Sequence, residues 1–326
     1  MDDAADKQTR NSRWTRDPVV APDGSPLVAY PTERDFEIFK LLARFRYLPA
    51  DYIHAFVGGN EKALSHRLNL LSRKPNLYLA RPEQQRQSAD ANYRHLIYEL
   101  DERGCTALRQ RGLSCPRIYV RNFRHELMVA QIMASIELGI LENGKVRLIT
   151  WLEILASDNT PKATRQSPAP ASIRVSYSLR GETQTSDIVA DGRPFGLERL
   201  IDGKRTYLFF PGIEADCGTE PINASDAERS SILKKFTAYT AIAEQGIHRS
   251  HFGFPNFFVA FVTTTAARMG SMMALLERLT DGRGSKMFLF KTFPGFTAAE
   301  KPPAPSGHML SEPWQRAGFP PLHLER

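Results

Sequence analysis

The sequence predicts an α+β / α/β chain of two domains, a helix-rich amino-terminal domain closed by a β-hairpin and a mixed α/β second half. Three observations carry this reading. The chain has 326 residues, about twice the ~100 to 200 of one ordinary domain. Apolar residues recur at helical spacing up to about residue 139, whereas beyond it short strand-like runs alternate with helices. Apolar residues make up 42% of the chain and charged residues 24%, a balance that supports real cores and excludes wholesale disorder.

Residues 1–25 are polar without periodicity and read as a disordered tail. A first domain follows over 26–118. Thr32 is a helix cap, with Asp35 in the capping-box position, and Ile38, Leu42 and Phe45 then recur at helical spacing. A short helix from Pro49 to Phe56 is broken by Gly58-Gly59-Asn60, and a third runs from Glu61 to about Ser72. Leu77–Ala80 and Tyr93–Leu100 read as strands joined by RPEQQRQSADAN, and a helix over Asp101–Arg111 closes the unit. Three helices followed by a hairpin is the order of a winged helix-turn-helix. Residues 119–142 read as a connecting helix.

In the second domain, 143–293, strands are predicted at Lys145–Ala156, Ile173–Leu179, Thr183–Val189, Tyr207–Asp216, Phe257–Thr264 and Met287–Thr292. Helices are predicted at Ala227–Gln245 and Arg268–Leu279, and SDNTPKATRQSPAPAS reads as a loop. Residues 294–326 read as a Pro-rich tail, extended or disordered.

No stretch approaches ~18 uninterrupted apolar residues, and the first residues contain no apolar run of a signal peptide. A cytoplasmic protein without membrane contact is expected. Cys105, Cys115 and Cys217 are odd in number and lack metal-binding spacing, so neither a disulfide framework nor a zinc site is implied.

The net charge is +7, which favours a polyanionic partner. Residues 61–126 hold 13 basic and 7 acidic side chains, so most of the excess is concentrated there. On the 61–72 helix, Lys62, Ser65, His66, Asn69 and Arg73 fall within about 100° of arc, and Leu64, Leu68 and Leu71 face the other way. A helix in a major groove needs such a stripe, because Asn suits adenine and Arg or Lys suits guanine or phosphate. Double-stranded DNA is the expected partner. The expected contacts are Lys62, Ser65, His66, Arg67, Asn69 and Arg73, with Arg86 and Arg94 on the wing. A homodimer, with the 121–139 helix as interface, follows by analogy with two-half-site binding.

In the second half, Asp187 precedes Glu214 and Asp216, which lie two apart and project from one face of a strand. Three converging carboxylates would form an all-oxygen site for Mg²⁺ or Mn²⁺, and Lys235 on the following helix could balance transition-state charge. Asp187, Glu214, Asp216 and Lys235 are the candidate catalytic set, the first three also the candidate metal ligands. The bland reading makes these acids turn caps and the lysine a solvated charge. His248 and His251 have the spacing of a metal pair, but their place after a helix and before Gly253 favours a capping or loop role.

IEADCGTEPI, SSILKKFTAYTAI and HFGFPNFFVAFVTTTAAR resemble the replication-relaxation family of plasmids and mobile elements over about 32–293. The resemblance lies in Glu-x-Asp-x-Gly-Thr at 214–219, Lys-x-x-x-Tyr at 235–239, Phe-Gly at 252–253 and the Thr-rich strand ending near Arg268. It implies a winged helix joined to a PD-(D/E)XK nuclease-like, restriction-endonuclease-like domain, and a DNA-associated role in replication, mobilisation or transcriptional control. Two departures stand out. Asp216 occupies the lysine position of the nuclease signature, and Pro211-Gly212 interrupts the apolar run before Glu214, as in a bulge or edge strand. Three readings follow: a DNA-binding protein with a degenerate nuclease-like domain and no certain cofactor, a Mg²⁺- or Mn²⁺-dependent endonuclease or nickase, and, third, a second half that serves as a protein-interaction module.

Overall fold

In the computed structural model the described residues are 15–87, 96–115, 122–218, 221–222, 231–293, 296 and 303–326. The protein is α+β, and it forms two compact units, Met1–Ala134 with Thr297–Pro305 and Ser135–Phe296 with Ser306–Arg326.

In the first unit, helix α1 (Glu33–Phe45) starts at a reciprocal capping box between Thr32 and Asp35 and buries Phe36, Ile38, Phe39, Leu42 and Phe45. Strand β1 (Leu48–Pro49) leads into α2 (Ala50–Val57). Gly58 and Gly59 both adopt positive φ, which makes the sharp turn into α3 (Glu61–Leu71). Asn60 caps α3, its Oδ1 accepting from the Ala63 amide at 2.9 Å, and Leu64, Leu68 and Leu71 are buried. Strands β2 (Leu79–Ala80) and β3 (Ile97–Leu100) complete an antiparallel sheet of order β1-β3-β2. A short helix, α4 (Glu83–Gln87), stands where the sequence suggested an open wing loop. Asp101 caps α5 (Glu102–Gln110).

Two expectations for this part of the chain are corrected. Cys105 and Cys115 form a disulfide with their Cα atoms 5.4 Å apart; Gly112 at positive φ turns the chain back at the end of α5, a proximity that spacing alone does not reveal. Helix α6 (Phe123–Asn143) is buried along most of its length, from Leu127 to Leu138. It therefore offers no long exposed apolar stripe, and a dimer would need another surface.

In the second unit, β4 (Val146–Ile149), β7 (Phe195–Ile201) and β8 (Lys204–Phe210) form an antiparallel sheet, β4-β7-β8. The strand predicted over 145–156 is split, because Thr150 and Glu153 make a capping box that starts α7 (Trp151–Ala156). The predicted loop holds a one-turn helix, α8 (Lys162–Arg165). Strands β5 (Ile173–Leu179) and β6 (Glu182–Ile188) form a hairpin of their own. The run Tyr207–Asp216 divides at Pro211-Gly212 into β8 and β9 (Ile213–Asp216).

Strand β9 is the edge of a five-stranded sheet of order β13-β12-β11-β10-β9, with β10 at Val259–Thr263 and β11 at Phe288–Thr292. These two run parallel to β9. The crossovers carry α9 (Ile232–Glu244) and α10 (Ile247–Phe252) before β10, and α11 (Ala266–Leu279) after it. Phe236 of α9 lies 5.0 Å from both Phe261 and Phe288, ring centre to ring centre, so the crossover helix packs on the face that Glu214 and Asp216 share by alternation.

The largest correction concerns the Pro-rich end. Residues 308–322 form α12 (His308–Ser311), β12 (Trp314–Arg316) and β13 (Phe319–Leu322), and β12 joins the sheet against β11. Pro320 and Pro321 are tolerated because β13 is an outer strand, where a missing amide costs no ladder bond. Trp314 is fully buried, and its Nε1 donates to the Met309 carbonyl at 2.9 Å. Gly139 of α6 lies so close to α12 that a Cβ there would stand 2.6 Å from Leu310 Cβ.

Candidate nucleic-acid interface and carboxylate cluster

On α3, Lys62, Ser65 and His66 are exposed and Asn69 is half-buried further along the same stripe, while Arg73, also half-buried, stands just beyond the helix end. Asn69 is held by Arg81, whose Nη2 donates to Asn69 Oδ1 at 2.8 Å, while the Arg81 guanidinium lies 5.7 Å from the centre of the Tyr98 ring. Burial, and then the charge of Arg81, push the Arg73 pKa below its ordinary value. Arg81 was not singled out in the sequence. It stands at the end of β2, and only strand pairing carries it to α3.

Arg67 is corrected. At 100° per residue it lies about 140° round from Lys62, and its Nε and Nη2 bind the Asp35 carboxylate at 3.0 and 2.6 Å while Nη2 also reaches the Tyr30 carbonyl at 2.8 Å. Its partner is buried, so it ties α3 to the start of α1. Despite its burial, hydrogen bonds from Arg67 and Thr32 hold the Asp35 carboxyl below its usual range. Arg67→Ala is therefore expected to cost about 3 kcal/mol of stability, since it strands a buried carboxylate. Denaturant unfolding reads this directly; unchanged stability would show that the pair contributes nothing. The folded pKa of Asp35 is depressed, so the pair's contribution is present above the ordinary carboxylate pKa and is lost as pH falls through the lowered one. Arg86 stands on α4 rather than in a wing loop; its side chain, like all of Arg94, lies outside the described residues.

In the second unit, Glu214 and Asp216 are both buried on β9. Glu214 Oε2 is 2.9 Å from Lys235 Nζ, and Oε1 accepts from the Tyr239 hydroxyl. The i, i+4 spacing of Lys235 and Tyr239 on α9 brings both to one carboxylate. Burial pushes the Glu214 carboxyl up to about 7, with Lys235 pulling it down and Asp191 pushing it further up. Burial, and then Glu214, raise Tyr239 well above its ordinary value. Asp191 enters from the loop after β6, its Oδ2 accepting from the Ala215 amide at 2.8 Å.

Asp216 is gripped by a fork from α11. Arg268 Nη2 donates to Oδ1 at 2.8 Å and Nε donates to Oδ2. The Thr263 hydroxyl and the Gly218 amide supply two more donors, at 2.7 and 3.1 Å. Asp191, Thr263 and Arg268 were missed as site residues because each reaches β9 from another element. The Thr-rich run that brings Thr263 beside Asp216 in the parallel register was the available signal.

Asp187 does not join this cluster. It is 55% exposed on the β5–β6 hairpin, with its Oδ2 3.3 Å from Arg174, whereas Glu214 and Asp216 are almost fully buried. Among the described residues no group of three or more His, Cys, Asp or Glu side chains is placed to hold a metal. A divalent ion needs carboxylate lone pairs, and all four oxygens of Glu214 and Asp216 already face a cation or a hydrogen-bond donor. The residues present do not fit Mg²⁺ or Mn²⁺.

The two histidines of α10 do not form a metal pair either. The buried His248 stacks on Phe257 at 5.3 Å, and His251 Nε2 lies 2.9 Å from the Pro170 carbonyl. Burial lowers both pKa values. Among the described residues no helix is long and apolar enough to cross a membrane.

No curated protein and no solved structure matches the chain. The sequence model of the replication-relaxation family matches residues 39–256, about two thirds of the chain, from within α1 to just before β10. The match takes in α3 with its polar stripe and β9 and α9 with Glu214, Lys235 and Tyr239, and by it the chain belongs to the replication-relaxation family.

Proposed function

We propose that this is a DNA-binding protein of a plasmid, phage or integrative element, acting in replication, mobilisation or transcriptional control, with a degenerate nuclease-like domain as its second unit. The observation that carries the reading is the α3 stripe, in which Lys62, Ser65 and His66 are exposed and Asn69 is tethered by Arg81. The order α1-β1-α2-α3-β2-α4-β3, with sheet order β1-β3-β2, supports a winged helix with α3 as its reading helix and the short α4 between the wing strands. Membership of the replication-relaxation family supports DNA as the partner and mobile-element replication or relaxation as the process. The pairing of Glu214 with Lys235 and of Asp216 with Arg268 supports loss of cleavage.

Footprinting on the DNA flanking the protein's own gene, with and without Mg²⁺, is the direct test. Protection without strand breaks is the expected result, and absence of any protected site would sink the reading. Asn69→Ala is expected to cost about 1 to 3 kcal/mol of discrimination between sequences, and Arg73→Ala to weaken all sequences alike. Competition binding with matched and scrambled duplexes separates the two. Equal loss from both variants would remove α3 as the reader.

One observation favours the second reading, an active endonuclease or nickase. Lys235, supplied by a helix, does reach the Glu214 carboxylate. Metal-dependent nicking by the purified wild type, abolished by Glu214→Ala, would establish that reading.

A further inference from the structure

The carboxylate cluster departs from a metal centre in a specific way. Each acid of β9 is matched to one cation from one crossover helix, Lys235 of α9 for Glu214 and Arg268 of α11 for Asp216. Asp191 stands behind them on the Ala215 amide. A divalent ion entering here would displace the two-pronged Arg268 contact, turn the Thr263 hydroxyl away and leave two stranded cations beside a dication. Coulomb repulsion at such separations, in a buried setting, opposes all three steps.

Resting on the non-catalytic reading above, we infer that Lys235 and Arg268 are built-in counter-cations standing where a nuclease-like domain would place its metal, and that they turn the cluster into a clasp fastening α9 and α11 to the edge strand β9. The geometry of the clasp follows from chain order. Helix α9 precedes β10 with α10 between them, and α11 follows β10, so the two pairs tie the helices on either side of β10 in the chain to the strand that it pairs with. An Arg fork on a carboxylate supplies directional hydrogen bonds as well as charge, and each buried acid faces a protein cation without any added ion.

The test uses the full chain with Mn²⁺ as the probe, read by calorimetric titration and by thermal melting. For the wild type, millimolar Mn²⁺ is expected to give no site-specific binding heat and to leave Tm unchanged. The double variant Lys235→Met/Arg268→Met is expected to melt roughly 5 to 15 °C lower without metal, because it strands buried carboxylates. It should regain part of that loss in Mn²⁺, and adding Asp216→Asn should abolish the regain. Arg268→Lys, which keeps the charge, should remain indifferent to Mn²⁺. If the double variant shows no cooperative melt by itself, a melt that appears only with Mn²⁺ supports the inference, and none in either condition overturns it.

Site-specific Mn²⁺ binding by the wild type, lost on Glu214→Gln, overturns the inference, as does a folded double variant that ignores Mn²⁺. Wild-type Mn²⁺ binding without DNA nicking removes the inference alone and leaves the DNA-binding reading standing. Nicking removes both.

Discussion

Duplex DNA binding is expected to fall about a hundred-fold between roughly 50 and 200 mM salt, with a log–log slope near −4. Composition alone suggests a steeper dependence, since residues 61–126 hold 13 basic side chains. The structure reduces that number. Arg67 is bound to Asp35, Arg109 to Glu102 and Arg111 to Glu33. Arg103 donates to the Asn76 carbonyl at 3.0 Å and lies 4.5 Å from the Tyr78 ring centre. Lys62, Arg73, Lys74 and Arg81 are described cations grouped about α3, Arg81 with its guanidinium also on Asn69 and Tyr98, and four phosphate contacts at about 0.9 each give the expected slope. A binding series across that salt range measures it. Affinity independent of salt would remove phosphate contact as the source of binding, and a slope beyond about −8 would mean that cations outside this group carry it.

The second large effect is on stability. Trp314→Ala is expected to cost about 3 to 5 kcal/mol, the usual penalty for emptying the site of a fully buried large aromatic side chain. In a unit of this size that lowers Tm by about 10 °C. Trp314 has no exposed surface, and β12 continues the sheet through the Gln315–Phe290 pairing. Lys291, also buried, donates to the His308 and Glu312 carbonyls at 2.6 and 3.0 Å and so binds β11 to the same segment. Burial lowers its pKa to about 8. Thermal melting of Trp314→Ala against the wild type checks the effect. An unchanged Tm would mean that residues 308–322 are an appendage rather than part of the sheet.

That segment shows how far periodicity reaches. Two prolines in a four-residue stretch argue against a strand, and the argument is sound for a central position. It fails for Pro320 and Pro321 because β13 is an outer strand, and edge or centre is a property of the assembled sheet. The 145–156 stretch failed for another reason. Its apolar residues are nearly continuous, but Thr150 and Glu153 carry the capping-box spacing that starts α7, so the signal was present and was outweighed by hydrophobicity. Strand β7 was missed because Gly196, Glu198 and Arg199 interrupt its apolar pattern, and the half of Arg199 that is bound is held from outside the strand, its Nη1 donating to the carbonyls of residues 323 and 326.

The sequence by itself determined the features that depend on neighbours along the chain. These are the Thr32–Asp35 cap, the Gly58-Gly59 turn, the polar stripe of α3 against its leucines, the shared face of Glu214 and Asp216, and the Lys235–Tyr239 spacing. Each is set by the 3.6- or 2-residue period, or by capping within one turn. Only the tertiary structure decided which charges remain for a ligand. It sent Arg67 to Asp35, brought Arg81 to Asn69, left Asp187 on an exposed hairpin, and closed Glu214 and Asp216 with Lys235 and Arg268. A charge acquires its role from the partner it meets in space, and those partners lie between 12 and 52 residues away in the chain, beyond the reach of any local period.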